Sequence, residues 1–508
     1  MFRRTPSDRQ SDMFTSYESH LGRSKREKLA DPKAWHNLFH KHIVSQVDEA
    51  RFADLFDATQ GRPNAPVRIL LGMIFLKEGY QWSDEELFEQ CGYNLLVMRA
   101  LGLVNLDEQV PAPSTYYLFK QQVFAYDIAN GVDLVGQVYD ELTQDQAHHF
   151  GVRADYIRMD SKLFGSNIAN CCRLQLIVGC LRAFWKALEP DQRQRAVASD
   201  RRILDALLEK KPHQVVYSLK ETEKAGKLQQ LGLVLDRLVR RYRDSGGTGY
   251  EQITRIFREQ YTVVSEQIVL KQPKDVAATS LQSPHDVDAT YCVKPGQKVW
   301  GYRASVTETC NPDGLNLITD VQVAPATHSD PQFVVPAIEK TESVVGAVRE
   351  ASMDGSYHHP ANQEYAANSQ NKKTLHIAGM PGYASRFTYE YTDQGVAVVD
   401  TRTGERQIAA EYRPGKYRII FEKRYCFTDA RIKSYLQRKK VDEMPDEVRM
   451  RRNNVEATIY HLSCRLRKSK SRYRGLPANR LWAISRAVWV NLIRSRNHLS
   501  SPLLAPVC

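Results

Sequence analysis

Three acidic residues in well-separated stretches have the side-chain chemistry of a metal site. Asp160 lies in Tyr-Ile-Arg-Met-Asp-Ser, Asp354 in Ser-Met-Asp-Gly-Ser, and Glu456 in Asn-Asn-Val-Glu-Ala. Hard divalent cations prefer oxygen ligands, and two-metal phosphoryl transfer needs acidic side chains that converge on one small site. Residues so far apart in sequence meet only if a fold brings them together. The combination suggests a DNA strand-transfer enzyme.

Each of the first two acids also has a simpler interpretation. Asp160 closes an apolar strand pattern, where an aspartate can serve as a helix cap. Asp354 precedes Gly355, and Asp-Gly is often only a turn. Asp320, in a strand pattern, and Asp330, near a helix start, are alternative acids. Among these, Asp320 is the first substitute if one of the three fails.

Glu456 lies at the margin of an apolar helix face. The face is marked by residues at helical spacing, namely Val455, Ile459, Leu462 and Leu466. Arg452 stands one turn earlier on the same side. The plain interpretation is a surface ion pair worth a few tenths of a kcal/mol. The functional interpretation places Glu456 on a metal ion and Arg452 on a DNA phosphate.

Positive charge is concentrated around Glu456. The chain of 508 residues has a formal net charge of +12. The stretch 431–496 alone carries 18 Lys or Arg against five Asp or Glu, so the remainder is close to neutral. Such a run is usually a solvated face, but here it surrounds a candidate catalytic acid. It favours contact with a polyanion, most commonly nucleic acid.

The first part of the chain predicts an arm followed by a helical module. Residues 1–30 are polar and predict a flexible arm, and residues 31–150 predict a helical N-terminal domain. An apolar helix is expected over Val67–Leu76, a capping box opens another at Ser83–Glu86, and Pro111–Pro113 precedes a third. The module is compatible with helix-turn-helix DNA binding or with assembly and packing, and both remain open.

The remainder predicts one catalytic domain over 151–500 with a mixed α/β layout. A strand over 154–160 leads to Asp160, and a hairpin over 298–323 is followed by a helix over 331–345. Strands over 348–353 and 374–378 complete the sheet, the first delivering Asp354. A helical insertion is expected at about 171–283 and a strand-rich one at about 380–428. The predicted fold class is therefore a mixed sheet flanked by helices.

Several other classes are disfavoured. No apolar run approaches the roughly 20 residues that span a bilayer. The first residues are polar, without the apolar segment of a secretory signal, so a cytoplasmic location is expected. The nine cysteines form no Cys-x-x-Cys or Cys/His metal pattern.

With these features in place, the chain resembles bacterial insertion-sequence transposases of the DDE class, which have a ribonuclease H-like core. The resemblance covers most of the chain outside the insertions. It is carried by Gly61-Arg-Pro, Ser83-Asp-Glu-Glu86, Pro111–Tyr116, Asp160-Ser161, Ser283–Tyr291, Lys294-Pro-Gly296, Gly301-Tyr302, Val323–Ala326 with His328 and Asp330, Asp354–Tyr357, Arg452-x-x-x-Glu456 and Arg472–Leu476. Three positions depart from the family. Ser356 or its neighbour stands where a Lys or Arg-like residue is common. Arg449 stands where a Tyr is frequent, and Ser463 stands where a Lys is sought seven residues after the Glu, so Lys468 or a nearby Arg is the expected substitute.

The resemblance implies a DNA transposase that cleaves transposon ends and joins them to target DNA. Asp160, Asp354 and Glu456 would be the catalytic residues and the ligands of two Mg²⁺ ions, with Mn²⁺ as a substitute. Double-stranded DNA would be the partner, and a homodimer or larger assembly is expected. The expected DNA contacts are Arg449, Arg452, Arg465, Arg467, Lys468, Lys470, Arg472 and Arg474.

Two other functions remain open. One is a metal-dependent nuclease or resolvase without strand transfer, and the other is a DNA-binding relative that has lost catalysis. Both would be expected to bind DNA with an affinity that falls steeply with salt, because basic side chains release counterions from the phosphates.

Overall fold

A computed structural model describes residues 1–4, 12, 14–294, 296–312, 314–379, 385–464 and 466–500. None of the helices in these ranges combines the length and apolar character that crossing a bilayer requires.

Among the described residues, seven α-helices form the N-terminal part: α1 (Arg23–Ala30), α2 (Trp35–His42), α3 (Val67–Tyr80), α4 (Asp84–Tyr93), α5 (Leu95–Leu101), α6 (Pro113–Asn130) and α7 (Leu134–Phe150). The predicted capping box is present, because the Ser83 side chain accepts from the Glu86 amide and the Glu86 side chain accepts from the Ser83 amide. Pro113 opens α6, as expected of a residue that lacks the N–H a first turn leaves unused. The sequence pattern thus locates these helices well.

Strand β1 (Tyr156–Gly165) is followed by the helical insertion. Its elements are α8 (Arg173–Ala187), α9 (Pro190–Gln194), α10 (Ala198–Glu209), α11 (Pro212–Tyr217), α12 (Glu221–Arg241), α13 (Gly247–Gln260) and the hairpin of β2 (Tyr261–Val264) and β3 (Gln267–Leu270). These helices bury a hydrophobic core of their own, built around Phe184, Trp185, Leu235 and Ile256.

The remaining elements complete the main sheet and add a second one. The main sheet continues with β4 (Thr290–Lys294), β5 (Gln297–Thr309), β6 (Ile318–Pro325), helix α14 (Val334–Val344), β7 (Glu350–Met353), helix α15 (Pro360–Ala367) and β8 (Thr374–Ile377). The second sheet is an antiparallel meander of β9 (Phe387–Thr392), β10 (Gly395–Asp400), β11 (Arg406–Arg413), β12 (Lys416–Ile420) and β13 (Arg424–Thr428). Four helices end the described chain: α16 (Asp429–Asp442), α17 (Asp446–Met450), α18 (Asn453–Ser463) and α19 (Leu476–Leu499).

β1 lies at the centre of the main sheet. The strand order is β4-β5-β1-β7-β8, and β6 also pairs with β5. β1 pairs antiparallel with β5 from Ile157↔Thr309 to Gly165↔Gly301, and parallel with β7. The expected mixed α/β architecture is therefore present. The strand is longer than predicted, however, and Asp160 lies in its middle rather than at its end.

The sequence pattern places Asp160 at the end of the strand because polar residues interrupt the apolar pattern of β1. Arg158, Asp160 and Lys162 alternate with Ile157, Met159, Ser161 and Leu163, of which only Ser161 is polar. Such alternation is what a strand shows when one face carries polar contacts, since successive side chains point to opposite faces. In the sequence, the polar residue Asp160 resembles the end of an apolar run, although the strand continues for five residues beyond it.

The N-terminal helices share one hydrophobic core with the sheet. Helix α19 packs against α3 on one side and β6 on the other. A single cluster of buried residues accordingly runs from Phe75 through Trp489 and Ile484 to Val306 and Val323. Helix α19 thus joins α2, α3, α6 and α7 to the sheet.

The opposite face of the sheet carries Asp320, the substitute acid. Asp320 of β6 pairs with Thr307 of β5, whereas Asp160 of β1 pairs with Val306, the neighbouring residue of β5. A shift of one residue moves a side chain to the other face. Asp320 is 6% exposed and accepts a hydrogen bond from Gln322, away from the other acids. It is therefore not part of the same cluster.

Substituting Gly79 tests the contact between α3 and α19. A Cβ at Gly79 would lie 2.4 Å from the indole ring of Trp489. We expect Gly79→Ala to lower the melting temperature, since overpacking a core costs about 1–3 kcal/mol. Gly226→Ala in α12, where a Cβ meets nothing within 4 Å, is the matched control. It should be neutral or stabilising by roughly 0.5–1 kcal/mol, and equal effects of the two substitutions would contradict the packing.

Asp320 makes stability depend on pH. Burial raises its pKa to about 6, against the lowering effect of the Gln322 hydrogen bond and the Lys340 charge. The folded state therefore holds this proton more tightly than the unfolded state, and stability is lost as pH rises through that value. We expect Asp320→Asn to gain up to about 3 kcal/mol relative to the native protein between pH 4 and pH 7.

Thermal melts across this pH range measure the difference. Asp393→Asn, at an exposed position in the β9–β10 turn, serves as the control and should show no such trend. A difference between Asp320→Asn and the native protein that stays constant with pH would refute the assignment.

Candidate active site

The fold brings the three predicted acids together. β1 and β7 are parallel neighbours with Arg158 opposite Ser352, and continuing this register by two residues sets Asp354 beside Asp160. Asp354 follows the last residue of β7 directly, as predicted. Glu456 lies in the first turn of α18, which packs against β1 and β5.

The guanidinium of Arg452 is the common partner of the three carboxylates. Its Nη2 lies 3.6 Å from Asp160 Oδ2 and 3.2 Å from Glu456 Oε1, and its Nη1 lies 3.9 Å from Asp354 Oδ1. The Arg452 side chain is 17% exposed, so these contacts are partly shielded from water. One cation therefore holds three like charges within reach of each other.

Asp160 is the most buried acid of the cluster. Burial raises the pKa of its carboxyl, and the charges of Asp354 and Glu456 raise it further. The Ser161 amide, which donates to Asp160 Oδ1 at 2.7 Å, and the Arg452 charge act in the opposite direction. The side chains of Asp354 and Glu456 are 45% and 61% exposed, so the cluster opens toward solvent.

The donor set suits a hard divalent cation, because all three side chains offer carboxylate oxygens. The negative charges of Asp354 and Glu456 repel that of Asp160, and a bound cation would reduce this repulsion. As the cluster stands, Arg452 is the cation among these carboxylates. Within the described residues, no group of three or more His, Cys, Asp or Glu is arranged as a metal site.

Asp330 is hydrogen-bonded on the face of β1 opposite Asp160. It accepts hydrogen bonds from Ser161 Oγ at 2.5 Å and from Arg303 Nη1. Burial opposes ionisation of Asp330, but these hydrogen bonds outweigh it and hold its pKa below the usual value. Ser161 neighbours Asp160 in β1 and points to the other face of the sheet. Asp330 therefore anchors β1 from behind.

The expected DNA contacts lie on either side of α18: Arg449 and Arg452 precede it, and the others follow it. The Arg449 side chain donates to the Val441 carbonyl, and Arg452 lies in the acid cluster. In the segment after α18, the side chains of Lys470 and Arg474 donate to the carbonyls of Ile168 and Asn167, and Arg472 donates to the carbonyls of Gln81 and Trp82. Lys468 is exposed. Arg465 and the side chain of Arg467 lie outside the described residues.

Lys162 is a candidate residue that the sequence analysis missed. Its Nζ donates to Ser463 Oγ at 2.8 Å, at the position where the resemblance seeks a lysine. It stands two residues after Asp160 on the same face of β1. The signal in the sequence was the alternation of Arg158, Asp160 and Lys162. This alternation indicates a polar strand face, but the sequence does not show that α18 packs against it.

Comparisons with known proteins bear on the N-terminal part. Residues 28–122 match the family model of a transposase domain (DUF772), which covers a minor part of the chain. No curated protein matches. Among solved structures, a piggyBac transposase synaptic complex with hairpin DNA aligns with 92% of this chain and 75% of that chain, at 8% identity and a TM-score of 0.32. So low a score carries no argument about this chain.

Proposed function

We propose that this protein is a DNA transposase of the DDE class. It cleaves transposon ends and joins them to target DNA by two-metal phosphoryl transfer, with Asp160, Asp354 and Glu456 as the catalytic carboxylates. The observation that carries the proposal is the convergence of these three acids, from three separate elements, on the guanidinium of Arg452. The match of residues 28–122 to a transposase domain supports it independently.

The architecture supports a ribonuclease H-like core. A mixed sheet flanked by helices carries the first acid on its central strand and the second directly after the neighbouring parallel strand. The third acid comes from a helix packed on the same face. The helical segment between β1 and β4 and the meander between β8 and α16 lie outside the main sheet, in which β5, β1, β7 and β8 are adjacent.

Asp160, Asp354 and Glu456 would hold two Mg²⁺ ions, with Mn²⁺ as a substitute, which would supply charge stabilisation at the attacking and departing oxygens. The chain's own groups prepare this site. The Ser161 amide fixes Asp160. Gly355 adds no side chain beside Asp354, which keeps the approach open for DNA. Arg452, once released from the carboxylates, would pair with a DNA phosphate, the anion that a guanidinium binds best.

The distribution of charge favours the C-terminal part as the DNA contact. The segment 431–496 carries 18 basic and five acidic residues, whereas residues 31–150 carry eight Lys or Arg against 17 Asp or Glu. A domain that neutralises phosphates needs the opposite balance. We therefore assign residues 31–150 to packing and assembly of a homodimer or larger complex, and the phosphate contacts to the C-terminal segment and Lys162.

A nuclease without strand transfer would use the same acids, so the products must decide. Duplexes that carry the transposon ends, incubated with target DNA and Mg²⁺, should give joined products on a gel. Cleavage without joining would identify the nuclease. Magnesium-dependent nicking would eliminate the inactive DNA-binding relative.

Replacing each carboxylate by its amide of the same size, which removes the negative charge and one of the two oxygens, tests the site. We expect Asp160→Asn, Asp354→Asn and Glu456→Gln each to lower strand cleavage by more than the roughly 10–100-fold that loss of a partner supporting a metal ligand costs. DNA binding, measured by gel shift, should be retained.

The control for these variants is Glu447→Gln. Glu447 lies in the same basic segment, is 84% exposed and pairs only loosely with Arg451 at 3.7 Å. This variant should cleave like the native protein. Full cleavage by any one of the three site variants would reject that residue as a ligand.

Lys162 should contribute one phosphate contact. We expect Lys162→Met to weaken DNA binding evenly across sequences and to reduce the slope of log affinity against log salt by about 1. Lys186→Met, at an exposed position in α8, is the charge-matched control. An unchanged salt slope in Lys162→Met would exclude the contact and return the role to Lys468.

A further inference from the structure

A buried polar cluster lies next to the candidate active site, on the same face of the main sheet. It consists of Arg158 of β1, Glu308 of β5, Thr458 of α18 and Arg494 of α19, and is called the Glu308 cluster below. Glu308 is fully buried and faces Arg158 across the β1–β5 pair. Arg158 Nε donates to Glu308 Oε1 at 2.5 Å, and Arg494 Nη1 donates to Glu308 Oε2 at 2.7 Å.

Thr458 connects this cluster to the helix of Glu456. Its hydroxyl donates to Glu308 Oε2 at 2.6 Å and accepts from Arg494 Nη2. The hydroxyl thus uses its proton and a lone pair within the cluster, and Thr458 is fully buried. Because Thr458 follows Glu456 by two residues, the cluster fixes the first turns of α18 against the sheet.

The cluster also fixes the other end of the same segment. Arg158 Nη1 donates to the carbonyl oxygen of Arg451 at 3.1 Å, immediately before Arg452. Arg158 itself stands two residues before Asp160, on the same face of β1. The segment from Arg452 to Glu456 is therefore tied at both ends to the strand that carries Asp160.

Stability alone gives little reason for such a cluster. Burying charges costs solvation, and replacing a buried ion pair by apolar residues is often neutral or stabilising. What such a hydrogen-bonded cluster supplies is a defined geometry. Here the defined geometry is the distance between Asp160 on β1 and the residues Arg452 and Glu456 on α18.

We propose that Glu308 and Thr458 are positioning residues for Glu456, acting on its ability to serve with Asp160 as a metal ligand. The inference rests on the proposed two-metal function. Groups that orient metal ligands contribute about 10–100-fold to metal affinity. Thr458 is the sharper probe, because Thr458→Val keeps the shape and removes only the hydroxyl.

The experiment is a Mn²⁺ titration of the DNA-free protein, followed by electron paramagnetic resonance, with thermal melts of the metal-free protein alongside. We expect Thr458→Val to weaken Mn²⁺ binding about tenfold and Thr458→Ser to restore it. In a Glu456→Gln background, Thr458→Val should weaken binding no further, because its effect passes through Glu456.

The matched control is Thr341→Val in α14. Thr341 is also fully buried and its hydroxyl hydrogen-bonds with that of Thr319 at 2.7 Å, on the far face of the sheet. It should lower the melting temperature without changing Mn²⁺ affinity. Native affinity in Thr458→Val, or an equal loss in Thr341→Val, overturns the positioning role while leaving the proposed function intact. A folded native protein that binds no Mn²⁺ overturns both.

Discussion

The structure depends on the alternation of side chains along its central strand. β1 is paired on both edges, so its direction and register are fixed by β5 and β7. One face then presents Arg158, Asp160 and Lys162 to α18, while Met159 packs into the core behind. Because neighbouring side chains point to opposite faces, a shift of one residue would remove all three polar groups from the site at once.

Like charges at the site are held together by cations from the same chain. Arg452 contacts all three carboxylates, and farther back along the same face of the sheet Arg158 and Arg494 contact Glu308. Each acid would otherwise repel its neighbours in a partly shielded environment, where charges interact more strongly than in water. Part of the positive charge of the C-terminal segment is therefore internal, because several of its arginines bind groups within the fold.

The sequence pattern predicted much of this arrangement. Local patterns located the apolar helix that ends at Tyr80, the capping box at Ser83 and the acid directly after β7. The period of a helix or strand and its end signals are visible in the sequence of the element itself. It failed at Asp160, where a polar face resembled the end of a strand. It also missed Lys162, Glu308 and Thr458, since nothing local distinguishes a polar residue that meets a partner from one that meets water.

The sequence by itself determined the types of residue at the candidate site, the helical character of residues 31–150 and the basic segment around Glu456. Only the tertiary structure decided that Asp160, Asp354 and Glu456 meet, that Asp320 lies on the other face and that α19 joins the N-terminal helices to the sheet. The reason is physical. Periodicity and capping depend on neighbours within a few residues, whereas convergence depends on strand order and register, which pair residues hundreds of positions apart.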